Sequence, residues 1–173
     1  MKHLLLLIFF LQLIFNNSLI AQNDSLKNTK YYSQSGNFKI NFPGIPVESQ
    51  FGQHTLIGDI YSYTFIFQDT GRAVYYVIYS EYPNGLKPDT SAFLESIKKG
   101  YLGSLTILKE ENKKIKLNGY NGLYYKANSS DLYVVKTDYW INQRLYQVYI
   151  ERTDRYPTEK EVTEFINSFE LVK

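Results

Sequence analysis

The chain has 173 residues, with 19 Lys and Arg against 17 Asp and Glu and a formal net charge of +2 at pH 7. Because phosphate binding needs a concentrated basic surface, this near-neutral balance argues against nucleic acid as a partner. The chain has no cysteine, which excludes disulfides and thiol chemistry, and its 17 tyrosines are typical of strand-rich packing.

Residues 1–21 have the layout of a secretory signal peptide, with a basic start, an apolar run over residues 4–15 and the small residue Ala21 at the expected cut. The competing interpretation is an uncleaved membrane anchor, which takes about 20 apolar residues, whereas this run breaks at Asn16. A lipid anchor would need a cysteine at the cut, and the chain has none. The sequence therefore predicts an exported protein, periplasmic or extracellular, without stable membrane insertion after cleavage.

The rest of the chain is predicted to be one domain behind a short leader. Residues 22–35 are polar and lack periodicity, which indicates a flexible leader. Residues 36–173 carry regular hydrophobic patterns without a repeat or a linker, and their number suits a single domain.

Alternating apolar and polar residues predict strands in the first half of this domain. The predicted strands cover residues 38–42, 47–51, 57–68 and 73–82. Pro43-Gly44 ends the first of them, because proline cannot donate to a strand ladder. The third carries four aromatic residues at a spacing of two, beginning with Tyr61. The fourth is mostly apolar on both faces, so we expect it at the centre of the sheet.

A helix is predicted next, capped by Asp89 or Thr90 and running to about Leu102. Its apolar stripe starts at Phe93 and repeats at offsets of 1, 4 and 8 residues. Gly103 marks its end.

Short turns in the second half predict an antiparallel meander. Residues 105–117 form either one strand or a hairpin broken near Glu111. Asn118-Gly119 is the strongest tight-turn signal of the chain. Further strands are predicted over residues 123–127, 132–141 and 144–151.

The chain ends in a second predicted helix. Thr158 and Glu161 have capping-box spacing, and an apolar stripe starts at Val162 and repeats at offsets of 3, 4 and 7 residues. Two helices separated by runs of antiparallel strand predict the α+β class, with a central antiparallel β-sheet and helices packed on it.

Residues that could do chemistry are few and scattered, and we predict no catalytic residue, cofactor or metal. His54 is the only histidine after the signal, and one imidazole does not complete a common zinc site. Arg144 and Tyr146 open the last strand of the meander. Arg144 faces a ligand anion or an acid such as Asp138, or else is an ordinary strand-end charge, which we favour. These four residues are the candidate ligand contacts.

Four segments carry a resemblance to the Mog1/PsbP-like fold family. Phe-Lys-Ile-Asn-Phe-Pro-Gly at 38–44 resembles its opening strand and turn, and Gly-Tyr-Asn-Gly at 119–122 resembles the glycine-containing turn before its meander. Arg-Leu-Tyr-Gln-Val at 144–148 and Phe-Ile-Asn-Ser-Phe at 165–169 resemble its final strand and closing helix. Ile45 stands where an aromatic residue often follows the opening Pro-Gly.

The resemblance implies an α/β/α sandwich and a role as an accessory or binding protein. It transfers no catalytic residue, because the matched positions are structural. Since no catalytic constellation is found either, we expect an exported non-enzymatic accessory or protein-binding domain. Its expected partner is another envelope or extracellular protein. The alternative is a small-ligand carrier or a hydrolase whose site is assembled from distant residues.

Overall fold

A computed structural model describes residues 29–103 and 105–172 of the chain. The predicted signal peptide, residues 1–21, and the predicted leader up to residue 28 lie outside the described residues. Within the described ranges, no helix is long and apolar enough to cross a membrane.

Strands dominate the described part of the chain, with 54% of residues in strands and 15% in helices. The strands are β1 (Thr29–Ser33), β2 (Phe38–Phe42), β3 (Val47–Thr55), β4 (Gly58–Gln68), β5 (Ala73–Glu81), β6 (Lys109–Leu117), β7 (Tyr120–Asn128), β8 (Tyr133–Ile141), β9 (Arg144–Arg152) and β10 (Glu170–Leu171). The helices are α1 (Thr90–Leu102), α2 (Glu159–Glu164) and a 3₁₀ turn (Ile166–Ser168).

Seven strands form one antiparallel sheet in the order β3-β4-β5-β9-β8-β7-β6. The predicted central strand is confirmed as β5, which lies between β4 and β9. The meander β6-β7-β8-β9 is joined by tight turns, and β6 is one strand from residue 109 to 117. Asn118 and Gly119 have φ values of 50° and 88°, the left-handed pair that a type I′ hairpin turn requires.

A second sheet, in the order β1-β2-β10, covers one face of the large sheet. The apolar side chains of β2 are fully buried in the core between the sheets, and they are Phe38, Ile40 and Phe42. They share this core with alternate residues of β5, such as Val77, and of β9, such as Val148. The period of two along each strand therefore sends one side-chain set into this core and the other to the opposite face.

Helix α1 covers part of the opposite face of the large sheet. Leu94 and Leu102 of the helix are buried against strands β7, β8 and β9. The Asp89 side chain accepts a hydrogen bond from the Ala92 amide at 2.8 Å, which caps the helix start as predicted. The predicted end of this helix at Leu102 is also confirmed.

The predicted α+β class with an α/β/α sandwich is wrong. The fold is mostly β, because a three-stranded sheet rather than a helical layer covers one face of the large sheet. The predicted last helix is short: α2 ends at Glu164, the 3₁₀ turn follows, and Phe169 is already extended. The chain then enters β10, which pairs with β2, so the last apolar stripe completes a sheet instead of a helix.

The folded region starts earlier than Gly36. Thr29–Ser33, within the predicted leader, pairs antiparallel with β2 as strand β1. Tyr31 packs against the inter-sheet core, and Ser33 is buried and accepts a hydrogen bond from the Gly36 amide at 3.0 Å. Contacts with β2 stabilise this strand. The polar composition of the segment does not predict them.

The capping box of α2 is confirmed and extends into a charged network. The Thr158 amide donates to Glu161 Oε2 at 2.6 Å, and the Glu161 amide donates to Thr158 Oγ1 at 3.2 Å. Arg152 donates to Glu161 Oε1 at 2.5 Å and Arg155 to Oε2 at 3.0 Å. Burial alone would raise the pKa of Glu161, but hydrogen bonds from Thr158 and Arg155 and the charge of Arg152 lower it to about 2.

Replacing Glu161 with glutamine is expected to lower the free energy of unfolding at pH 7 by about 1.5–3 kcal/mol, the range for charged hydrogen bonds. A carboxyl group whose folded pKa is depressed stabilises the fold above its unfolded pKa, near 4.5, and loses that effect as the pH falls towards 2. Urea unfolding at several pH values tests this, with exposed Glu164→Gln as the control. A difference between wild type and Glu161→Gln that persists at pH 2 contradicts the assignment.

Candidate functional site

The four candidate ligand contacts do not come together in one place. Arg144 and Tyr146 lie on β9 and face the inter-sheet core side of the large sheet. Asp138 lies on β8 and is buried on the opposite face, beside Gln147. His54 lies near the end of the β3–β4 hairpin, away from the other three.

Arg144 and Tyr146 both have structural partners. Arg144 Nη2 donates to Glu81 Oε1 at 2.6 Å, and its guanidinium lies 5.5 Å from the centre of the Tyr79 ring. The Tyr146 hydroxyl donates to the carbonyl oxygen of Gly36 at 3.0 Å and is buried. These contacts tie β9 to β5 and to the turn before β2, and they account for both side chains without a ligand.

His54 is exposed on the hairpin formed by β3 and β4. Its Nδ1 lies 2.6 Å from Asp59 Oδ1 across the hairpin. Among the described residues, no group of three or more His, Cys, Asp and Glu side chains is placed to hold a metal ion.

A buried charge cluster of Lys136, Asp138 and Glu151 lies on the α1 face of the sheet, and only Asp138 of the three was a sequence candidate. Lys136 and Asp138 are 2% and 0% exposed. Lys136 Nζ lies 3.7 Å from Asp138 Oδ1, which is longer than a hydrogen bond. Glu151 accepts a hydrogen bond from the hydroxyl of Tyr101, a residue of α1.

Three tyrosine rings surround the Lys136 ammonium group. Its Nζ lies 4.1 Å from the ring centre of Tyr101, 4.6 Å from that of Tyr149 and 6.0 Å from that of Tyr125. Tyr101 comes from α1, whereas the other two come from β9 and β7, so the ammonium is enclosed between helix and sheet. Ring faces attract a cation, but they replace only part of the hydration that Lys136 has lost.

Burial drives the three charged groups towards their neutral forms. It lowers the pKa of Lys136 and raises the pKa values of Asp138 and Glu151, and their mutual attraction offsets these shifts only in part. Burial also raises the pKa of Tyr125 strongly, and the neighbouring Asp138 charge adds to that shift. A buried carboxyl and a buried amine thus share a site from which water is excluded.

The hydrogen bonds around Asp138 are incomplete. Its Oδ1 accepts a bond from Gln147 Nε2 at 3.4 Å. Its Oδ2 and the Tyr125 hydroxyl are the buried side-chain atoms without a hydrogen-bond partner among the described residues. Tyr125 nevertheless affects the pKa of Asp138, so the two groups are close without the geometry of a normal hydrogen bond. Unpaired polar atoms in a core cost stability and single out this cluster from the rest of the interior.

The second unusual feature is the β3–β4 ribbon, residues 45–61. Pairing between β4 and β5 begins at Tyr61, so residues 53–60 extend past the end of β5. Leu56 and Ile57 at its tip are 108% and 52% exposed. Further exposed apolar side chains on the ribbon are Ile45, Val47, Phe51 and Tyr61.

The two edges of the large sheet differ in charge. Strand β3, at one edge, is exposed along nearly its whole length and carries Glu48 as its one acidic or basic residue apart from His54. Strand β6, at the other edge, has the sequence KEENKKIKL, in which six of nine residues are charged. Charged side chains discourage strand addition at a sheet edge, so β6 is protected and β3 is open.

Two shallow clefts lie elsewhere on the surface. One, of about 400 Å³, lies between α1 and the β6–β7 hairpin and is lined by residues such as Glu95, Lys114 and Asn121. The other, of about 340 Å³, lies beside α2 and includes Tyr75 and Glu161. None of the four candidate ligand contacts lines either cleft.

No protein-family model matches the chain, and no curated protein matches it. A crystal structure of a protein from Bacteroides thetaiotaomicron VPI-5482 is similar, with a TM-score of 0.38 and 14% sequence identity. The similarity covers 83% of this chain and 48% of that chain, so this chain spans about half the length of that protein. A likeness this distant assigns neither a family nor a function.

Lys136 and Glu151 are not among the predicted site residues, because each lies in a strand of the predicted meander. The available signal is the spacing of Lys136 and Asp138, two opposite charges on either side of Thr137 in a stretch from Val134 to Ile141 whose other residues are apolar or aromatic. On a strand, that spacing puts both side chains on one face. Both faces of β8 are covered, so neither charge reaches solvent.

Proposed function

We propose that the chain is an exported accessory domain without enzymatic activity of its own, which binds another protein of the cell envelope or the extracellular space. The binding surface is the β3–β4 ribbon. The observation that supports this most is the run of exposed apolar side chains on a ribbon that projects past its neighbouring strand. Several exposed apolar side chains close together along an open sheet edge are typical of interaction sites.

The partner offers an extended segment that pairs with β3. Main-chain groups at a sheet edge bind such a segment through backbone hydrogen bonds, and neighbouring apolar side chains add affinity. Val47 and Phe51 are four residues apart on β3, so their side chains lie on the same face and can contact side chains on that face of an added strand. Leu56 and Ile57 would then cover the end of that segment.

Site-specific photo-crosslinking in intact cells tests the surface. A photoreactive amino acid at Phe51 is expected to capture a discrete protein, whereas the same group at Lys116 on the charged edge β6 is expected to capture none. Capture from both positions, or from Lys116 alone, contradicts the assignment of the ribbon. No capture, together with turnover or binding of a small molecule by the purified domain, favours the carrier or hydrolase alternative.

Replacing both Leu56 and Ile57 with serine is expected to weaken capture of that partner by an order of magnitude or more. Burial of one such side chain contributes about 1.5–3 kcal/mol, and about 1.4 kcal/mol corresponds to a factor of ten in affinity. The matched control is Leu108→Ser, which removes an exposed leucine outside the ribbon. Quantitative crosslinking yield from Phe51 measures the effect, and equal losses in the two variants would refute a specific role of the tip.

A further inference from the structure

Lys136 and Asp138 are adjacent on one face of β8 and are both enclosed by protein. The side chain of the intervening Thr137 points to the other face, where its hydroxyl donates to the Val148 carbonyl at 3.3 Å. The Lys136 amine and the Asp138 carboxyl are separated by 3.7 Å, measured from Nζ to Oδ1. The Lys136 nitrogen therefore lies beside the carboxyl group whose carbon it would attack, and the fold holds the two groups together in advance.

The pair is poorly compensated as an ion pair. A buried ion pair offsets its lost hydration only with close contact and further hydrogen bonds. This one has a long contact, and Asp138 Oδ2 accepts no hydrogen bond from the part of the chain that the structure describes. The Lys136 ammonium also lies against the aromatic faces of Tyr101 and Tyr149, which are weaker substitutes for water than a hydrogen-bond acceptor. The neutral amine and the neutral carboxylic acid therefore suit the site better than the ions do.

We propose that Lys136 and Asp138 become joined by an amide bond between Nζ and Cγ, formed by the folded chain itself. The link closes a ring around Thr137 on β8. It is a modification of the domain that is independent of the partner proposed for the ribbon.

The reaction is a condensation that needs no oxidant, reductant or co-reactant. The lone pair of the neutral Lys136 amine attacks Cγ of the protonated Asp138 carboxyl, and a C–N bond forms. The C–O bond to the hydroxyl then breaks, and that hydroxyl leaves as water with one proton from the nitrogen. The balance is one amine and one acid giving one amide and one water.

Neighbouring groups favour each stage of this reaction. The Tyr125 hydroxyl lies close to the Asp138 carboxyl, where it can donate to the oxygen that gains charge as Cγ is attacked. Glu151 interacts electrostatically with Lys136 and provides a second carboxyl group to take up the proton that the ammonium must lose. Enclosure holds the reactants together and keeps bulk water away from the product.

The protonation states of the buried groups agree with this chemistry. Burial lowers the pKa of Lys136 and raises that of Asp138, which moves the pair towards the amine and the acid that the condensation needs. Lys98 is the contrasting case: it is also buried, but its Nζ lies 2.7 Å from Glu110 and 2.9 Å from Glu95. Those two close carboxylates keep Lys98 charged, and we expect no link there.

Mass spectrometry of the purified, denatured chain tests the link. The expected intact mass is lower than the sequence mass by one water molecule. Trypsin is expected to leave the chain uncut after Lys136, giving one peptide of residues 127–144 lighter by one water, while it cuts after Lys98. An intact mass equal to the sequence mass, with full cleavage after Lys136, overturns the proposal.

Three variants separate the link from folding. Lys136→Arg is expected to keep the full sequence mass, because a guanidinium does not attack the carboxyl. Asp138→Asn is expected to lose ammonia instead of water, since the amide nitrogen is then the leaving group. Glu151→Gln is expected to slow the mass change at least ten-fold in a time course after refolding, with circular dichroism confirming that the variant folds. An unchanged rate in folded Glu151→Gln would remove Glu151 from the reaction.

Discussion

Replacing Phe38 with alanine is expected to lower the free energy of unfolding by about 3–5 kcal/mol, the cost of truncating a buried phenylalanine. Phe38 is fully buried between the two sheets. Its ring centre lies 5.4 Å from that of Phe65 on β4 and 5.5 Å from that of Phe169 beside β10. The side chain thus links β2, the large sheet and the C-terminal segment, and its loss leaves a cavity where three elements meet.

Urea unfolding followed by tyrosine fluorescence and by circular dichroism measures this effect. The matched control is Tyr32→Ala, which truncates an aromatic residue of the small sheet that is 56% exposed. The control is expected to change the free energy of unfolding by less than about 0.5 kcal/mol, as exposed substitutions usually do. Similar losses in Phe38→Ala and Tyr32→Ala would contradict the packing of the small sheet on the large one.

The predictions that the structure confirms rest on local signals. Asn118-Gly119 fixes a two-residue turn through its backbone preferences, and the Thr158 and Glu161 spacing satisfies the free amides at a helix start. The doubly apolar pattern of β5 placed it correctly inside the sheet. Each of these features is decided by residues a few positions apart.

Local signals do not predict the three-stranded sheet that covers the large sheet. A stripe at offsets of 0, 3, 4 and 7 from Val162 fits a helix, but α2, the 3₁₀ turn and an extended Phe169 bury the same positions. What decides between them is β10 pairing with β2, more than a hundred residues earlier in the chain. The same strand, β2, also draws the polar segment Thr29–Ser33 into the fold as its neighbour in the small sheet.

The buried charge cluster shows why the candidate site could not be predicted from the sequence. The sequence allows Asp138 as a partner of Arg144, but the two side chains point to opposite faces of the sheet. The partner of Asp138 is Lys136, and Glu151 joins them from the next strand. Burial of these residues depends on α1, which lies mainly over β7 and β8 and whose Tyr101 ring reaches that of Tyr149 on β9.

Replacing Arg152 with alanine is expected to lower the free energy of unfolding by about 3–5 kcal/mol, because it leaves the largely enclosed Glu161 carboxylate with the exposed Arg155 as its remaining cation. Arg152 is 5% exposed at the end of β9. Its guanidinium donates to Glu161 at 2.5 Å, to Asp154 at 2.9 Å and to the Gly71 carbonyl at 2.8 Å. It therefore holds α2 and the β4–β5 turn to the end of the large sheet.

Arg155 provides the matched control, because it donates to the same Glu161 carboxylate at 3.0 Å but has a side chain that is 46% exposed. Arg155→Ala is expected to cost about 0–1 kcal/mol, as exposed ion pairs do. Arg152→Lys is expected to recover only part of the loss, since a point charge cannot reproduce directed hydrogen bonds to three partners.

A double-mutant cycle of Arg152→Ala and Glu161→Gln in urea unfolding isolates the interaction between the two side chains. The loss in the double variant is expected to be clearly smaller than the sum of the single losses, because removing Glu161 also removes the charge that Arg152 no longer neutralises. Additive losses would mean that Arg152 acts through Asp154 and the Gly71 carbonyl instead. In that case the loss of unfolding free energy at low pH, which is expected for Glu161, would be as large in Arg152→Ala as in wild type. A direct pair between Arg152 and Glu161 predicts instead that this loss is smaller in Arg152→Ala.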